Sequence, residues 1–372
     1  MSKPDRPWGE LLSITVDRLS TTVEEMHRAI ALPWFRLAGP AAPALRGAYA
    51  GAVSVAYGTV RMVAAGAAMV VDGIRTTPTV GERRRSDSMQ AFANAVWGDE
   101  LAHRGSAMAI GTDARDPSGR VVACDADSLA RSFPDATPRI AVLLHGLGQT
   151  EQRFHRSSSG RTLVETLAAS TFTPVTIRYN SGRRVADTGL EVSALIESLV
   201  TEWPVPVTEI VVVGFSMGGL VAREAIHAGT SDERHWTGAV RHVVTVATPH
   251  AGSPIERGAE VASRALVIAP QSRPLGRFLD GRSAGIRDLR SGAGLPPVPD
   301  GIRHHRIAGV VTSDASHPVG ALIGDLVVRP GSATTQPNDV LGEQVVIGGR
   351  RHYDLLDDQS VARHILDWIE PG

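Results

Sequence analysis

Apolar residues recur at helical spacing in the first part of the chain. From residue 12 to residue 30 they follow one another in steps of four and three, at Leu12, Val16, Leu19, Val23, Met26 and Ile30. A stripe of this kind covers one face of an α-helix, and the prolines at positions 33, 40 and 43 interrupt it. The pattern predicts the first element of an α-helical N-terminal region, which we place at residues 1–103.

A second helical pattern begins near Leu45 and is apolar on nearly every side. Residues 47–71 contain a single charge, Arg61, in 25 positions. The many alanines and glycines and the central arginine weigh against a membrane-spanning helix. Two interpretations stay open: a helix buried against the protein or a partner, and a helix that contacts a membrane or lipid surface. A third helix is predicted over about residues 87–101.

Near residue 104 the pattern changes to short runs of valine and isoleucine that alternate with helical segments. The predicted strands are Ala107–Ile110, Arg120–Cys124, Arg139–Leu144, Thr173–Tyr179, Ile210–Val213, His242–Ala247, His305–Val311 and Glu343–Ile347. Helices are predicted near residues 160–170, 186–203, 217–229 and 359–369. Apolar strands separated by helices are typical of a mostly parallel central sheet with helices on both faces. We expect one α/β domain over residues 104–372, with the first two strands as an antiparallel hairpin at one edge.

Charge and cysteine content exclude several classes of protein. The formal net charge is −1, from 38 basic and 39 acidic residues that are well mixed, so nucleic-acid binding is not expected. A single cysteine, Cys124, excludes an internal disulfide and a multi-cysteine metal site, and its apolar neighbours predict a buried strand residue. The polar amino terminus shows no secretory signal, so we expect a cytoplasmic protein, with peripheral membrane association left open.

The segment Gly214-Phe-Ser-Met-Gly-Gly219 is the most informative motif of the chain. It follows the apolar run of residues 209–213 and precedes a helical segment at residues 220–227. A G-x-S-x-G pattern between a strand and a helix is typical of a sharp turn that exposes a nucleophilic serine, here Ser216. Glycines flank it because a side chain would clash where the strand and helix backbones approach each other.

A serine hydroxyl needs a base that removes its proton and an acid that orients the base. The predicted base is His352, which follows the strand that ends at Ile347. The predicted acid is Asp325, after the strand that ends near Val311, and Asp314 is the alternative. Each residue comes after the carboxyl end of a strand, where the edge of a parallel sheet opens to form a site.

Two backbone N–H groups are needed to stabilise the negative charge that develops on a carbonyl oxygen. Met217, the residue after the serine, is expected to supply one of them. The other is expected from the glycine-rich loop His145-Gly-Leu-Gly-Gln149, at Leu147 or Gly146. We expect a structural, loop-fixing role for His145, because it precedes the serine in the chain. No metal or organic cofactor is required by this set of groups.

These motifs together resemble an α/β-hydrolase of the lipase/esterase type, close to bacterial relatives of the GPI inositol-deacylase family. The matching segments are residues 144–148, 178–182, 214–219, 247–254, 324–325 and the segment around His352. They cover about residues 140–369, so the first hundred residues lie outside the resemblance. The resemblance implies the α/β-hydrolase fold and a substrate with an ester bond, often in a lipid. Phe215 stands where many such enzymes carry histidine.

Residues 253–301 form an insertion after a strand on the side of the expected site. Helical spacing at residues 255–268 and 275–289 favours a helical lid over the pocket, and a surface decoration is the alternative.

The sequence therefore predicts a serine hydrolase that cleaves small-molecule or lipid esters through an acyl-enzyme on Ser216. Two alternatives are an acyltransferase with the same triad and a non-catalytic module that binds a partner or a lipid surface. The sequence leaves the oligomeric state open.

Overall fold

The computed structural model describes residues 8–35, 42–73, 80–157, 160–252, 283–291, 297–334 and 341–370. These residues fall into two compact units. The helical unit contains the described residues up to 85 together with residues 103–109. The sheet unit contains residues 86–102 and the other described residues from 110 onward.

The helical unit is built on two long helices, α1 (Trp8–Phe35) and α2 (Ala42–Gly73). The buried carboxylate of Glu24 accepts hydrogen bonds from Arg28 and from Arg61, the latter at 2.9 Å. Arg61, the lone charge of the second apolar pattern, is thus paired across the two helices. None of the helices within the described ranges combines the length and apolar character that a membrane crossing requires.

Many apolar side chains of the helical unit face solvent. The exposed ones are Leu12, Leu19, Val23, Val55, Val60, Met62 and Val63, with exposed fractions between 40% and 75%. Three of them belong to the stripe that sequence analysis identified on α1. Ile14 and Val53 are buried together with Glu24, so the hairpin has an apolar interior and in addition leaves these seven apolar residues exposed.

The third helix, α3 (Val80–His103), has a non-helical residue at Trp97, with φ −129° and ψ 18°. Its residues 86–102 belong to the sheet unit. There the carbonyl of Gly98 accepts a hydrogen bond from Asn180 Nδ2 at 2.9 Å, and Asn94 Oδ1 accepts one from the amide of Ile110 at 2.9 Å. The predicted domain division between residues 103 and 104 stays a prediction.

Within the described residues, eight strands form one sheet in the order β2-β1-β4-β3-β5-β6-β7-β8. Their bounds are β1 Asp113–Arg115, β2 Val121–Val122, β3 Arg139–Leu144, β4 Thr173–Arg178, β5 Glu209–Phe215, β6 Val240–Val246, β7 Arg303–Gly309 and β8 Gln344–Ile347. Strands β3 to β8 pair in parallel, and β1 pairs antiparallel with β2 and β4. This is the mostly parallel sheet with an antiparallel edge hairpin that the sequence predicts.

The first strand of the hairpin was predicted in the wrong place. The apolar run Ala107–Ile110 forms a turn, in which the amide of Ala109 donates to the carbonyl of Ser106 at 3.1 Å. Met108 is buried although it lies in no strand, so burial without strand pairing explains the apolar run. The strand itself begins at Asp113, and Cys124 lies beyond the end of β2 and is only half-buried.

Helices cover both faces of the sheet, as expected. Their bounds in the sheet unit after α3 are α4 Ala126–Ser132, α5 Leu163–Ala168, α6 Val185–Thr201, α7 Met217–Ser231, α8 Ala284–Ser291, α9 Pro318–Ile323, α10 Pro330–Thr334 and α11 Gln359–Ile369. On one face, α6 and α7 pack against the side chains of Ile140, Val142 and Leu144. On the other, α5 and α11 pack against those of Ala141 and Leu143. The strict alternation of side chains along β3 builds a core on each face.

The predicted lid at residues 253–301 lies mostly outside the described residues. Its described parts are residues 283–291, which contain α8, and residues 297–301. The side chain of Asp288 in α8 accepts a hydrogen bond from the amide of Val185, the first residue of α6, at 2.9 Å.

Candidate active site

Ser216 lies in a sharp turn between strand β5 and helix α7. Its backbone has φ 53° and ψ −121°, a conformation that is costly for a residue with a side chain. A Cβ atom at Gly214 would lie 2.5 Å from the Cα of Gly219, and one at Gly218 would lie 2.1 Å from the carbonyl oxygen of Leu144. Only glycine fits at either position, which is the reason sequence analysis gave for the flanking glycines.

Three side chains from separate loops form one hydrogen-bonded chain. Ser216 Oγ lies 3.0 Å from His352 Nε2, and His352 Nδ1 lies 2.7 Å from Asp325 Oδ2. The exposed fractions of Ser216, His352 and Asp325 are 8%, 3% and 1%, so water competes little for these hydrogen bonds. A carboxylate accepts from Nδ1–H, which leaves Nε2 free to accept the serine proton.

The carboxylate of Asp325 is held in place by its own loop. Its Oδ1 atom accepts hydrogen bonds from the amides of Val327 and Val328, at 2.9 Å and 2.7 Å. The loop turns at Gly324, with φ 69°, and at Leu326, with φ 82°. Oδ2 is thereby directed to His352, since Oδ1 is already occupied.

Asp314, the alternative acid, is in a different situation. It is exposed, and its Oδ1 atom accepts from the amide and the hydroxyl of Ser316, at 2.9 Å and 2.7 Å. Hydrogen bonds from Ser316 hold the pKa of Asp314 below its ordinary value. His352 is bonded to Asp325, so the geometry favours Asp325 as the orienting acid.

His352 begins a 3₁₀ turn (His352–Asp357) that follows β8. Its backbone amide donates to the carbonyl of Asp325 at 2.9 Å, in addition to the side-chain contact. The ring of Phe215 lies 5.1 Å from the imidazole, centre to centre. The residue that departs from the common pattern therefore packs against the candidate base.

The glycine-rich loop after β3 lies directly beside the serine. A Cβ at Gly146 would lie 3.2 Å from the Cβ of Ser216. The Gly146 carbonyl accepts from the amide of Gln149 at 3.3 Å and lies 2.9 Å from His145 Nδ1. Since the C=O and N–H of a trans peptide point in opposite directions, the Leu147 N–H points away from these donors. Met217 is the first residue of α7, so its N–H has no acceptor within the helix.

His145 is a buried, uncharged part of this loop. Its Nε2 accepts from the amide of Tyr179 at 3.3 Å, so the proton lies on Nδ1 and is donated to Gly146. The two rings stack with centres 4.0 Å apart. Burial lowers the pKa of His145 to about 4, which keeps the ring neutral near pH 7. These contacts agree with the loop-fixing role expected for His145.

Gln149 and Ser181 also hold this loop in place, although the sequence pattern predicted no role for either. Gln149 Oε1 accepts from the amide of Gly146 at 3.2 Å, and Ser181 Oγ accepts from the amide of Gly148 at 3.0 Å. Ser181 belongs to the segment 178–182 that contributed to the resemblance, which was the one available signal. The contact joins residues 33 positions apart, so no local pattern reveals it.

A second group of histidines is buried in the sheet, in a hydrogen-bonded cluster separate from that of Ser216. His305 belongs to β7, and its Nε2 lies 3.0 Å from His242 Nδ1 while its Nδ1 accepts from the amide of Glu343 at 3.2 Å. Its ring stacks on Trp368 at 4.7 Å. Burial, and then the neighbouring His242, lower the pKa of His305 to about 3. The ring is therefore a neutral part of the core.

Among the described residues, no group of three or more His, Cys, Asp and Glu side chains is arranged to hold a metal ion. Burial raises the pKa of the Cys124 thiol, which disfavours the thiolate.

Several known proteins are similar to this chain. Residues 182–264 match the PGAP1-like alpha/beta domain. Among solved structures, the lipase BlEst2 of Bacillus licheniformis in mature form has 16% identity and a TM-score of 0.43, covering 62% of this chain and 91% of its own. A lipase-esterase related protein from Clostridium acetobutylicum has 13% identity and a TM-score of 0.40, with 62% and 95% covered. A thermophilic esterase from Thermogutta terrifontis has 14% identity and a TM-score of 0.39, with 63% and 91% covered. No curated protein matches the sequence.

The eight-stranded, mostly parallel sheet and the strand–serine–helix turn are features of this chain that do not depend on these likenesses. Together with the match of residues 182–264, they give the chain an α/β-hydrolase fold and a resemblance to the PGAP1-like alpha/beta domain.

Proposed function

We propose that the protein is a serine hydrolase that cleaves carboxylic esters through an acyl-enzyme on Ser216. The observation that carries the proposal is the continuous chain from Ser216 Oγ through His352 to Asp325, with links of 3.0 Å and 2.7 Å. A nucleophile, a base within reach of it, and an acid that orients the base are the three parts that acyl transfer requires.

The reaction begins when Ser216 Oγ attacks the ester carbonyl and His352 Nε2 takes the hydroxyl proton. Asp325 holds the ring and stabilises the imidazolium that forms. The amides of Leu147 and Met217 donate to the carbonyl oxygen as it becomes an oxyanion.

The tetrahedral intermediate collapses when the C–O bond to the alcohol breaks and His352 gives its proton to the leaving oxygen. The acyl group is now bound to Ser216. Water then attacks the acyl carbon, with His352 taking the proton from water and returning it to Ser216 Oγ as the acid leaves. Each step moves one proton through His352, so the same contact serves both halves of the reaction.

A lipid or other acyl ester is the proposed substrate. The match to the PGAP1-like domain and the resemblance to inositol deacylases support this choice. The solved structures of similar fold include one protein named a lipase and one named an esterase, and these names describe those proteins only.

The experiment compares wild type with Ser216→Ala on acyl esters of several chain lengths and with a fluorophosphonate probe. We expect loss of both activity and labelling in Ser216→Ala, by several orders of magnitude in kcat. Ser198→Ala, in α6, is the matched control and should keep both. Activity of Ser216→Ala near the wild-type rate refutes the proposal. An added alcohol acceptor separates hydrolysis from acyl transfer, because only transfer yields the new ester.

We also propose that the helical unit contacts a lipid surface. The exposed apolar residues of α1 and α2, with Val55 at 70% and Met62 at 75%, support it. The pairing of Arg61 with Glu24 supports it as well, because paired charges are less costly in an apolar environment. A cytoplasmic location stays a prediction.

A further inference from the structure

The peptide group that carries the Leu147 N–H is bracketed by two hydrogen bonds from neighbouring amides. The Gly146 amide donates to Gln149 Oε1 at 3.2 Å, and the Gly148 amide donates to Ser181 Oγ at 3.0 Å. The first acceptor lies in the loop itself. The second comes from the segment after strand β4. Ser181 therefore supports this part of the loop from outside it, on the side of Gly148, as Tyr179 does through His145.

Ser181 fixes the orientation of the peptide group between Leu147 and Gly148. It is 1% exposed, and Gly148 has φ 67°, a conformation that glycine adopts without strain. The carbonyl of Leu147 and the amide of Gly148 share one peptide plane, which the Ser181 contact orients. The Leu147 N–H lies on the preceding peptide plane, which is joined to this one through the φ and ψ of Leu147, so a displacement of the Leu147–Gly148 plane is passed to it through these two dihedrals.

The segment that carries Ser181 is itself fixed between two helices. Asn180 Nδ2 donates to the Gly98 carbonyl in α3 at 2.9 Å, and Asn180 Oδ1 accepts from the Gly182 amide at 3.0 Å. A Cβ at Gly182 would lie 1.8 Å from the carbonyl oxygen of Asn94, also in α3. The Gly182 carbonyl accepts from the amide of Gly285 in α8 at 2.9 Å. These contacts tie the segment to both α3 and α8.

From these contacts we propose that Ser181 is a positioning residue for the Leu147 amide, and that residues 94–98 of α3 hold it in position. The inference rests on the proposed function, because it needs Leu147 to donate to an oxyanion. Ser181 touches no reacting atom. It acts through the loop, so its removal weakens stabilisation of the tetrahedral intermediate and leaves binding of the ground-state ester unchanged.

The test compares Ser181→Ala with Ser193→Ala. Ser193, in α6, is also buried, at 0% exposure, and its Oγ also accepts a hydrogen bond, from Trp236 Nε1 at 3.2 Å, a contact that involves neither α3 nor the loop beside Ser216. Both variants lose one buried hydroxyl that accepts a hydrogen bond. For each we would measure kcat, KM, inhibition by an alkylboronic acid, which forms a tetrahedral adduct on the serine, and unfolding by urea.

For Ser181→Ala we expect kcat to fall roughly tenfold, because a small displacement of a catalytic group is costly. The affinity for the boronic acid should fall by a similar factor, while KM stays within about twofold and the pH profile keeps its shape. Ser193→Ala should keep kcat and boronate affinity even if its urea midpoint falls. Ser181→Cys, which keeps the size but accepts weakly, should lie between wild type and Ser181→Ala.

Equal effects of Ser181→Ala and Ser193→Ala on kcat and boronate affinity would overturn the inference and assign Ser181 a general structural role. So would a loss in Ser181→Ala that lies in KM alone. If Ser181→Ala does not fold, the cysteine variant gives the same comparison. Failure of the proposed function is distinguished by Ser216→Ala: an active Ser216→Ala removes both proposals, and an inactive one with an unaffected Ser181→Ala removes only this one.

Discussion

His352 and Asp325 form two hydrogen bonds with each other. The side-chain bond joins Nδ1 of His352 to Oδ2 of Asp325 at 2.7 Å, and the backbone bond runs from the amide of His352 to the carbonyl of Asp325 at 2.9 Å. The backbone bond fixes the spacing of the two loops, and the side-chain bond fixes the rotation of the ring. The imidazole of His352 is therefore held in the one orientation that directs Nε2 to Ser216.

Asp325→Asn should lower kcat by about 10⁴-fold, because an amide no longer stabilises the imidazolium and favours the wrong tautomer. Steady-state kinetics on a soluble short-chain ester give the measurement. Asp314→Asn is the control, since Asp314 is exposed and bonded to Ser316, and it should keep the wild-type kcat. A larger loss in Asp314→Asn than in Asp325→Asn would assign the acid to Asp314.

Gly214→Ala should destabilise the fold, because its Cβ would lie 2.5 Å from backbone atoms of Gly219. Overpacking of this kind costs about 1–3 kcal/mol, and here no flexible side chain can move aside. The free energy of unfolding in urea measures the effect. Gly238→Ala, where no atom lies within 4 Å of the new Cβ, is the matched control. Equal stability of the two variants would contradict the close approach of strand and helix.

Acid should destabilise the protein through His305, whose pKa burial lowers to about 3. Between the ordinary histidine value and pH 3, the unfolded chain binds a proton that the folded protein does not, so stability falls as pH falls. His305→Asn should reduce this dependence by about one proton, measured as urea unfolding at pH 7, 6 and 5. Val243→Ala, at a buried residue of β6 that has no titratable group, should leave the slope unchanged. An unchanged slope in His305→Asn would show that the buried ring does not resist protonation.

Replacing exposed apolar residues of α2 should weaken contact with lipid. We expect Val55→Asp/Met62→Asp to lose co-sedimentation with phosphatidylcholine vesicles, while activity on a soluble ester stays at the wild-type level. Leu190→Asp, at a 48% exposed leucine of α6 in the sheet unit, is the control and should sediment like wild type. A wild-type protein that never sediments with vesicles rules out the lipid contact.

Much of the sheet unit follows from local pattern. The strand from Glu209, the two glycines and the helix from Met217 are consecutive in the chain, so their order alone predicts the turn at Ser216. Buried parallel strands such as β3 and β5 are long apolar runs, and these were found within a few residues of their bounds. Such elements are dictated by burial on both faces, which the sequence shows directly.

Other features depend on contacts that no local pattern contains. Strand β1 has one apolar residue, Ala114, and it becomes a strand because β4 offers it a partner; Ala107–Ile110, with more apolar residues, does not. The support of Gly148 by Ser181 joins two loops and depends in turn on α3. The sequence predicted the helix but not what it packs against. The roles of Ser216, Asp325, His352, Leu147 and Met217 stay predictions until activity is measured.

The positive φ of Ser216 has a consequence for protein engineering. Alanine at this position keeps the unfavourable backbone conformation, whereas glycine relieves it. The free energy of unfolding in urea should therefore be higher for Ser216→Gly than for Ser216→Ala, by about 1 kcal/mol. Glycine substitutions normally loosen a chain, and here the sign is reversed. Selection for thermal stability alone would therefore favour glycine at residue 216, and that variant lacks the nucleophile. Turnover must be selected as well if the serine is to be kept.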